Sequence, residues 1–284
     1  MVIDAHIHVQ PWRQLRPGAL ERISRGRRDL DRIRRLFDDP PEFLRFLDEE
    51  GIDRAVLVNY VSPDVIGFTD DVNQWIGQYC RGHEDRLIAV GGVHPRLTPN
   101  PAAALQEIVE KHGIRVLKLH PPHQHFFPNA YRDGGALPGL AALYEKAQEL
   151  GVPVMVHTGT SIFPEARNKY GDPMALDDVA VDFPNLTLIL AHGGRPLWME
   201  TAFFLLRRHA NVHMDISGIP PRALLRYFPR LAEVSNKTLF GTDWPSPGVD
   251  SPRLNLEQFR ALPLASDAQQ AILGDTAAKI FWRR

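Results

Sequence analysis

The 284-residue sequence predicts an α/β protein of the (β/α)8 TIM-barrel class. Eight runs rich in Val, Ile and Leu recur along the chain, and helical patterns lie between most of them. Near-continuous apolar strands that alternate with helices are typical of parallel strands covered by helices, and this number of units fits a barrel. A doubly wound open sheet is the alternative, but its glycine-rich phosphate loop does not follow the first strand.

The predicted strands are, in chain order, VIDAHIHV (2–9), RAVLVNY (54–60), LIAVGGVHP (87–95), VLKLHP (116–121), VPVMVHTG (152–159), LTLILAHGG (186–194), NVHMDIS (211–217) and TLFGTDW (238–244). The clearest helical patterns are PPEFLRFLDEEG (40–51), NPAAALQEIVEKHG (100–113), LPGLAALYEKAQELG (137–151) and WMETAFFLLRRHA (198–210). Several of them end in glycine, which readily adopts the left-handed conformation that ends a helix. No linker or repeat divides the chain, so we expect a single barrel domain over residues 1–284 with a long basic insertion after the first strand.

Composition narrows the classes of function. The formal net charge is −1 at pH 7, which gives no support to nucleic acid as a partner. The single cysteine, Cys80, excludes internal disulfides and multi-cysteine metal sites. No signal peptide precedes the first strand, and no apolar run approaches the roughly 18 residues of a membrane helix. We therefore expect a cytoplasmic protein that acts on a small molecule and has no membrane partner.

Reactive side chains cluster where the predicted strands end. Histidines close strands one, three, four, five and six, and an aspartate closes strand eight (His8, His94, His120, His157, His192 and Asp243). A barrel gathers these ends around one axis, where the active sites of this fold lie. In the first strand, period-two alternation would place Asp4, His6 and His8 on one face.

These residue types indicate metal-assisted chemistry. Imidazole and carboxylate ligands suit zinc, iron(II), manganese or cobalt. A catalytic metal keeps one coordination position open for water, and an enzyme that uses this water needs a base nearby. His192 and Asp243 are the candidates for that base by position.

Four motifs in order strengthen the prediction: DAHIHV (4–9), MVHTG (155–159), LAHGG (190–194) and FGTDWP (240–245). The series resembles the amidohydrolase superfamily, which carries H-x-H on strand one, a histidine on each of strands five and six, and an aspartate on strand eight. The AHGG and GTDWP segments resemble the amidohydrolase-2 branch. That branch includes aminocarboxymuconate-semialdehyde decarboxylase, γ-resorcylate decarboxylase and pyrone-dicarboxylate lactonase.

The resemblance implies a role for each motif. His6, His8, His157 and Asp243 would hold one divalent metal, zinc above all, with manganese, iron or cobalt as alternatives. Asp243 and His192 would manage the proton as the catalytic residues. The implied reaction is hydrolysis of an amide, lactone or ester bond in a small anionic or cyclic substrate. Non-oxidative decarboxylation of an unsaturated or aromatic acid is the alternative, and a catalytically silent ligand-binding barrel is a third hypothesis. A homodimer is also implied.

Strand four adds a second question. Some members of the superfamily carboxylate a strand-four lysine so that it bridges two metals, which gives Lys118 three interpretations: that role, an ammonium that binds an anionic substrate, or a structural lysine. We expect Lys118 to contact the substrate together with His120 and Arg195, and with His123 and His125 of the loop after strand four. A second metal at His123 and His125 is a weaker alternative.

An unusually basic segment follows the first strand, with nine arginines from Arg13 to Arg35. The planar fork of arginine suits carboxylates, and a long loop at this place can serve as a lid. Acidic residues within the segment partly neutralise it (Glu21, Asp29 and Asp31). The favoured interpretation is therefore a solvated helical face or a subunit contact.

Overall fold

The computed structural model describes residues 1–282, and within them eight parallel strands pair in sequence order. The strands are β1 (Ile3–Ile7), β2 (Arg54–Val58), β3 (Leu87–Gly92), β4 (Val116–Leu119), β5 (Val154–His157), β6 (Leu188–Ala191), β7 (Val212–Asp215) and β8 (Thr238–Leu239). The Ala5 amide donates to the Phe240 carbonyl oxygen at 2.8 Å, and Ile7 bridges Trp244. The first strand therefore pairs with the segment after β8, which closes the sheet and confirms the predicted (β/α)8 barrel.

Helices connect and cover the strands. They are α1 (Pro17–Ser24), α2 (Leu30–Asp38), α3 (Pro40–Glu50), α4 (Asp71–Cys80), α5 (Pro101–His112), α6 (Pro121–Gln124), α7 (Gly139–Glu149), α8 (Ala175–Asp182), α9 (Met199–Arg208), α10 (Leu224–Tyr227), α11 (Pro252–Arg260), α12 (Ser266–Gln270) and α13 (Thr276–Phe281). Short 3₁₀ turns lie at Trp12–Gln14, Asn168–Gly171, His192–Gly194, Pro221–Ala223 and Leu231–Lys237, and a π-helical turn at Ala271–Asp275. Across residues 1–282, no helix has the length and apolar character needed to cross a membrane.

The helix ends follow local sequence signals. At the start of α3, the Asp39 side chain accepts a hydrogen bond from the Glu42 amide at 3.0 Å, and Gly51 ends the helix in the left-handed conformation. Asn100 and Gly113 do the same for α5. These caps satisfy backbone groups that a helix end would leave unpaired, so each helix stops where the chain can enter the next strand.

Two apolar layers hold the barrel together. Strand residues that face outward pack with the helices in one continuous layer, and the alternate strand residues fill the barrel interior. The interior layer includes Val56, Val90 and Met155, and α13 adds Ala277 and Phe281 to it. The Phe281 carbonyl accepts from Arg115, immediately before β4, so α13 lies at the amino ends of the strands. The open end of the barrel is therefore the carboxyl end.

β1 contains an irregularity that simple alternation did not predict. Asp4 pairs with Ala55, whereas Ile7 pairs with Leu57, so β1 fits one extra residue against β2. Such a β-bulge bends a strand and re-aims its side chains, and bulges are frequent beside active sites.

The bulge changes which residues of β1 share a face. Ala5 packs in the interior layer, so Asp4 lies on the opposite side of the strand, where its carboxylate accepts from the Thr242 hydroxyl at 2.7 Å. After the bulge, His6 and His8 both line the cavity described below. The prediction that Asp4 shares a face with His6 and His8 is therefore wrong, because the extra residue breaks the alternation between them.

The strands are also shorter than predicted, and β8 has only two residues. His8, His120, His192 and Asp243 consequently lie just after their strands rather than within them. These four residues belong to the beginnings of the loops, and they lie at the carboxyl end of the barrel.

Candidate active site

A cavity of about 590 Å³ opens at the carboxyl ends of the strands. The predicted site residues that line it are His6, His8, Lys118, His120, His123, His157, His192, Arg195 and Asp243. His125 does not line the cavity: its Nε2 lies 3.0 Å from the carbonyl oxygen of Glu165. The barrel thus brings together side chains from the last residues of β1, β4 and β5 and from the loops that follow β1, β4, β6 and β8.

His6, His8 and Asp243 form a compact group. The Nε2 of His8 lies 3.1 Å from Asp243 Oδ1, and the Nε2 of His6 lies 3.7 Å from the same oxygen. Their potential ligand atoms all lie within 4.8 Å of one another. Two imidazoles and one carboxylate at this spacing match the donor set of a catalytic divalent metal.

Hydrogen bonds behind the two rings decide where their protons lie. The Nδ1 of His6 is 2.9 Å from Asp215 Oδ2, and the Nδ1 of His8 is 2.9 Å from the Val58 carbonyl oxygen. Because Asp215 is an acceptor, His6 Nδ1 donates and His6 Nε2 keeps its lone pair. His8 Nδ1 also lies 3.2 Å from Gln10 Nε2, and a proton on Nδ1 that bonds the closer Val58 carbonyl leaves the lone pair of His8 Nε2 toward Asp243. The buried His6 Nε2 has no hydrogen-bond partner among residues 1–282. With His8 in this tautomer, three electron-pair donors face one another and a cation satisfies the arrangement. With the proton on Nε2, His8 donates to Asp243 Oδ1 instead.

Asp243 is held in its ionised form. Burial alone would raise its pKa, but the hydrogen bond and charge of His8, with smaller contributions from His6 and Arg195, lower the pKa of Asp243 to about 2. Its backbone adopts a left-handed φ of 69°, which costs a non-glycine residue roughly 1–2 kcal/mol. The Asp243 amide donates to the His6 carbonyl oxygen at 2.8 Å, so β1 holds this loop in place.

Asp215, which ends β7, is a candidate functional residue that the sequence analysis did not select. Its buried carboxylate accepts from His6 Nδ1, from the amide and hydroxyl of Ser217, and from the His192 amide at 3.2 Å. Burial would raise its pKa, but the charge and hydrogen bond of His6 lower it. A carboxylate behind a ligating histidine fixes the ring and its proton. The available signal was its place at the end of a predicted strand.

His192 presents a free acceptor to the cavity. Its Nδ1 lies 3.1 Å from the Ser217 carbonyl oxygen and 2.8 Å from the Ser217 hydroxyl oxygen, so Nδ1 carries the proton and Nε2 keeps a lone pair. Burial lowers the pKa of His192 well below its ordinary value, which keeps the ring neutral. Its ring centroid is 4.7 Å from that of His6, and its backbone φ of 68° is left-handed, like that of Asp243.

His157, the fourth predicted ligand, lies beside the compact group. Its ring centroid is 4.7 Å from that of His192 and 3.8 Å from that of His120, on which it stacks. His123 stacks on the other face of His120 at 3.6 Å. Burial lowers the pKa of all three stacked histidines, so the stack is neutral. The buried Nε2 of His157 has no partner in the described part of the chain and remains available to a ligand.

Lys118 brings a buried amine to the same cavity. Its side chain is 1% exposed, and its Nζ has no hydrogen-bond partner within residues 1–282. Burial lowers the pKa of Lys118 to about 8. Near this pKa the Lys118 amine exists in both forms. The protonated amine suits an anionic ligand, and the neutral amine can be carboxylated.

Arg195 is fixed against Asp243. Its Nε donates to the Gly218 carbonyl oxygen at 2.9 Å, and its Nη2 lies 3.2 Å from Asp243 Oδ2. A Cβ at position 218 would lie 2.5 Å from Nη2, and Gly218 has a left-handed φ of 64°. Glycine is therefore required at 218 for the guanidinium to reach Asp243.

The basic insertion forms part of the cavity wall. Arg22 lines the cavity half-buried, and no hydrogen bond or ion pair holds its side chain among the described residues. Arg27 donates to the carbonyl oxygens of Pro245 and Val249, at 3.1 Å and 2.9 Å, in the loop after β8. The interpretation of this segment as a solvated face or subunit contact did not anticipate that it reaches the cavity.

Comparisons with known proteins agree with this architecture. The amidohydrolase family model (Amidohydro_2) matches residues 3–283. An uncharacterised TIM-barrel protein from Bordetella bronchiseptica is 22% identical, with a TM-score of 0.72 over 98% of this chain and 97% of its own. A probable 2-pyrone-4,6-dicarboxylic acid hydrolase from Acinetobacter baumannii is 17% identical, with a TM-score of 0.67 over 99% of both chains. A manganese-bound 5-carboxyvanillate decarboxylase from Novosphingobium aromaticivorans is 15% identical, with a TM-score of 0.64 over 99% and 96%. No curated protein matches the sequence. At these identities the solved structures share the fold.

Proposed function

The chain belongs to the amidohydrolase family, and on this premise we propose that it is a metal-dependent hydrolase acting on an amide, lactone or ester bond of a small anionic or cyclic molecule. One observation carries the proposal: the Nε2 atoms of His6 and His8 and the Oδ1 of Asp243 converge in the cavity, within 4.8 Å of one another. A divalent cation bound there supplies Lewis acidity, which polarises a carbonyl group and acidifies water.

The residues present fit one such cation. His6, His8 and Asp243 supply three donors, and the unpaired Nε2 of the neighbouring His157 is the candidate for a fourth. Zinc is the first expectation for this donor set, with manganese, iron and cobalt as alternatives. Manganese gains support from the decarboxylase structure that contains it. A second cation bridged by a carboxylated Lys118 is the less favoured arrangement.

Two residues are assigned to the proton. His192 is neutral and has a free Nε2, so it accepts a proton from the attacking water and returns it to the leaving group. Asp243 is ionised, and its Oδ2, held by Arg195, is the second candidate to accept or pass on that proton. The left-handed backbone at both positions supports a functional role, because strained conformations concentrate at active sites.

The rest of the cavity suits a small acid. Lys118 and Arg22 reach it, and neither side chain makes a hydrogen bond or ion pair with a residue of the described chain. Phe163 and Ile219 add apolar surface. Cationic groups combined with apolar walls favour a compact carboxylic acid with a ring or double bonds.

The unpaired cations also favour a second candidate, a non-oxidative decarboxylase of a small unsaturated or aromatic acid. In that reaction Lys118 would bind the substrate carboxylate, and His192 would take a proton from the substrate or water at Nε2 and then deliver that proton to carbon. The decarboxylase with the same fold supports this alternative, although one fold hosts many reactions.

Elemental analysis followed by a substrate screen tests the proposal. We expect about one metal per chain and, with lactones, esters or amides of small acids, a product that has gained water. Release of carbon dioxide would favour the decarboxylase, and two metals per chain would favour the bridged site at Lys118. A protein that binds metal but converts no lactone, ester, amide or acid would contradict both activities and favour a silent barrel.

A further inference from the structure

Three hydrogen-bonded side chains line the cavity next to the histidine stack. The Tyr60 hydroxyl lies 3.0 Å from His123 Nδ1, and His123 Nε2 lies 2.7 Å from the Ser161 hydroxyl oxygen. All three residues line the cavity. The roles assigned to the cation and to the proton do not use Tyr60 or Ser161.

Two directions of donation are available to this row, because a neutral imidazole carries one proton. In the first, Tyr60 donates to Nδ1 and Nε2 donates to Ser161. In the second, Ser161 donates to Nε2 and Nδ1 donates to Tyr60. Burial lowers the pKa of His123 to about 3, so the ring stays neutral in both.

The surroundings of Tyr60 favour the first direction. Tyr60 is 5% exposed, and His123 is the one hydrogen-bond partner of its hydroxyl within residues 1–282. In the second direction the Tyr60 proton would be buried without an acceptor, which is costly. In the first direction every proton of Tyr60 and His123 has an acceptor.

The first direction leaves the Ser161 proton free. The Ser161 oxygen accepts from His123 Nε2 and from the Phe163 amide at 3.3 Å, and no described residue accepts its proton. Asn168 holds the Ser161 backbone from both sides: it accepts from the amide at 2.8 Å and donates to the carbonyl at 3.3 Å. A fixed hydroxyl on the cavity wall therefore has one donor left for a ligand.

We propose that Ser161 is a substrate-binding residue whose hydroxyl donates to a carboxylate oxygen of the ligand. Tyr60 and His123 are its positioning residues, because they fix the direction of donation. A carboxylate is the acceptor that fits, since Lys118 in the same cavity has a buried amine without an acceptor. The inference rests on the proposed function for the place where the ligand binds, and not on which reaction follows.

Nitrogen NMR of the histidine rings tests the direction of donation in the metal-loaded protein without any ligand. We expect His123, assigned by its loss in His123→Gln, to be protonated at Nε2 and bare at Nδ1. Tyr60→Phe keeps the ring but removes the donor, so His123 should become a mixture of tautomers. Tyr144→Phe is the matched control, because it removes another buried tyrosine hydroxyl, bonded to the Pro128 carbonyl at 3.0 Å. Protonation of wild-type His123 at Nδ1 would overturn the proposal.

Calorimetric titration with isophthalate, a planar dicarboxylate, measures the effect on binding. Ser161→Ala should raise the Kd about tenfold through loss of a hydrogen bond to a charged acceptor, and Ser161→Thr should restore it. Tyr60→Phe should raise the Kd by a smaller factor and should add nothing to Ser161→Ala, because both act through one hydroxyl. An unchanged Kd in Ser161→Ala, or no binding of isophthalate to the wild type, would overturn the proposal.

These readouts separate the inference from the proposed function. If every hydrolysis and decarboxylation assay failed, the expected tautomer and Kd pattern would still support Ser161 as a ligand donor. If turnover were found but Ser161→Ala bound isophthalate like the wild type, the assignment of Ser161 alone would be overturned.

Discussion

Replacing Asp215 with asparagine tests how the candidate metal site is built. The buried carboxylate accepts hydrogen bonds from His6, from the His192 amide, and from the amide and hydroxyl of Ser217. Asparagine keeps the shape but offers one acceptor oxygen and one NH2 donor. Whichever way the amide is turned, a donor faces a donor.

The size of the effect follows from these contacts. With the NH2 toward His6, the ring must move its proton to Nε2, which removes a lone pair from the group with His8 and Asp243. Loss of such a supporting group lowers metal affinity about 10–100-fold, or about 1.4–2.8 kcal/mol. Mismatched buried donors should lower the free energy of unfolding of the metal-free protein by about 1–3 kcal/mol.

Zinc competition against a chromophoric chelator measures the affinity, and urea unfolding in EDTA measures the stability of the metal-free protein. Asp177→Asn is the matched control, because Asp177 also pairs with a histidine, His209 at 2.7 Å, but lies outside the cavity lining. We expect the control to bind zinc like the wild type. If Asp215→Asn were less stable but bound zinc with wild-type affinity, the reasoning that Asp215 orients His6 would be refuted.

The other predictions concern the same cavity and its surroundings. The double replacement of His6 and His8 by alanine should abolish metal binding while circular dichroism shows an intact barrel; full metal stoichiometry would contradict the ligand assignment. Asp243→Asn should lower turnover at least about a hundredfold with little change in melting temperature, because asparagine keeps the shape and tolerates a left-handed backbone; the reverse pattern would make Asp243 structural. Isophthalate binding should weaken as the pH rises through the Lys118 pKa of about 8, where the ammonium loses its charge, and Lys118→Met should bind weakly at every pH; a flat wild-type profile would refute this. Burial lowers the pKa of His94 from 6.5 to about 4, so the unfolded chain binds a proton that the folded chain does not, and stability is lost as the pH falls through that window. Urea unfolding at a series of pH values should show that the free energy of unfolding falls less steeply with decreasing pH in His94→Gln than in the wild type. Equal slopes in the two proteins would argue against His94 as a source of acid sensitivity.

Much of the fold could be predicted from local signals. Apolar runs located the strands, and residues such as Asn100 and Gly113 mark the two ends of α5. The bulge in β1 could not be predicted in this way. It arises because Asp4 pairs with Ala55 and Ile7 with Leu57, and that mismatch belongs to two strands together rather than to either sequence.

The candidate site divides along the same line. Residues at strand ends were predictable because parallel strands deliver their carboxyl ends to one place. The directions of side chains within loops could not be predicted. His123 and His125 are two residues apart, yet His123 lines the cavity, whereas His125, with a φ of 57°, lies against the Glu165 carbonyl. Asp215 was missed because its partner, His6, lies 209 residues away in sequence.

The cavity is lined both by residues at the barrel mouth and by the insertion after β1. His6 lies in β1, His8 follows β1 and Asp243 follows β8. The buried Asp215 carboxylate and Val58 carbonyl hold the two histidine rings from behind. The insertion adds Arg22 to the cavity lining, and its Arg27 donates to two backbone carbonyl oxygens of the loop after β8. Because Arg27 contacts main-chain atoms, side chains in that loop can change without releasing it. Under the proposed function, the barrel residues would supply the metal-assisted chemistry, while the insertion and the loops would contact the acid, since one fold serves different reactions through its loops.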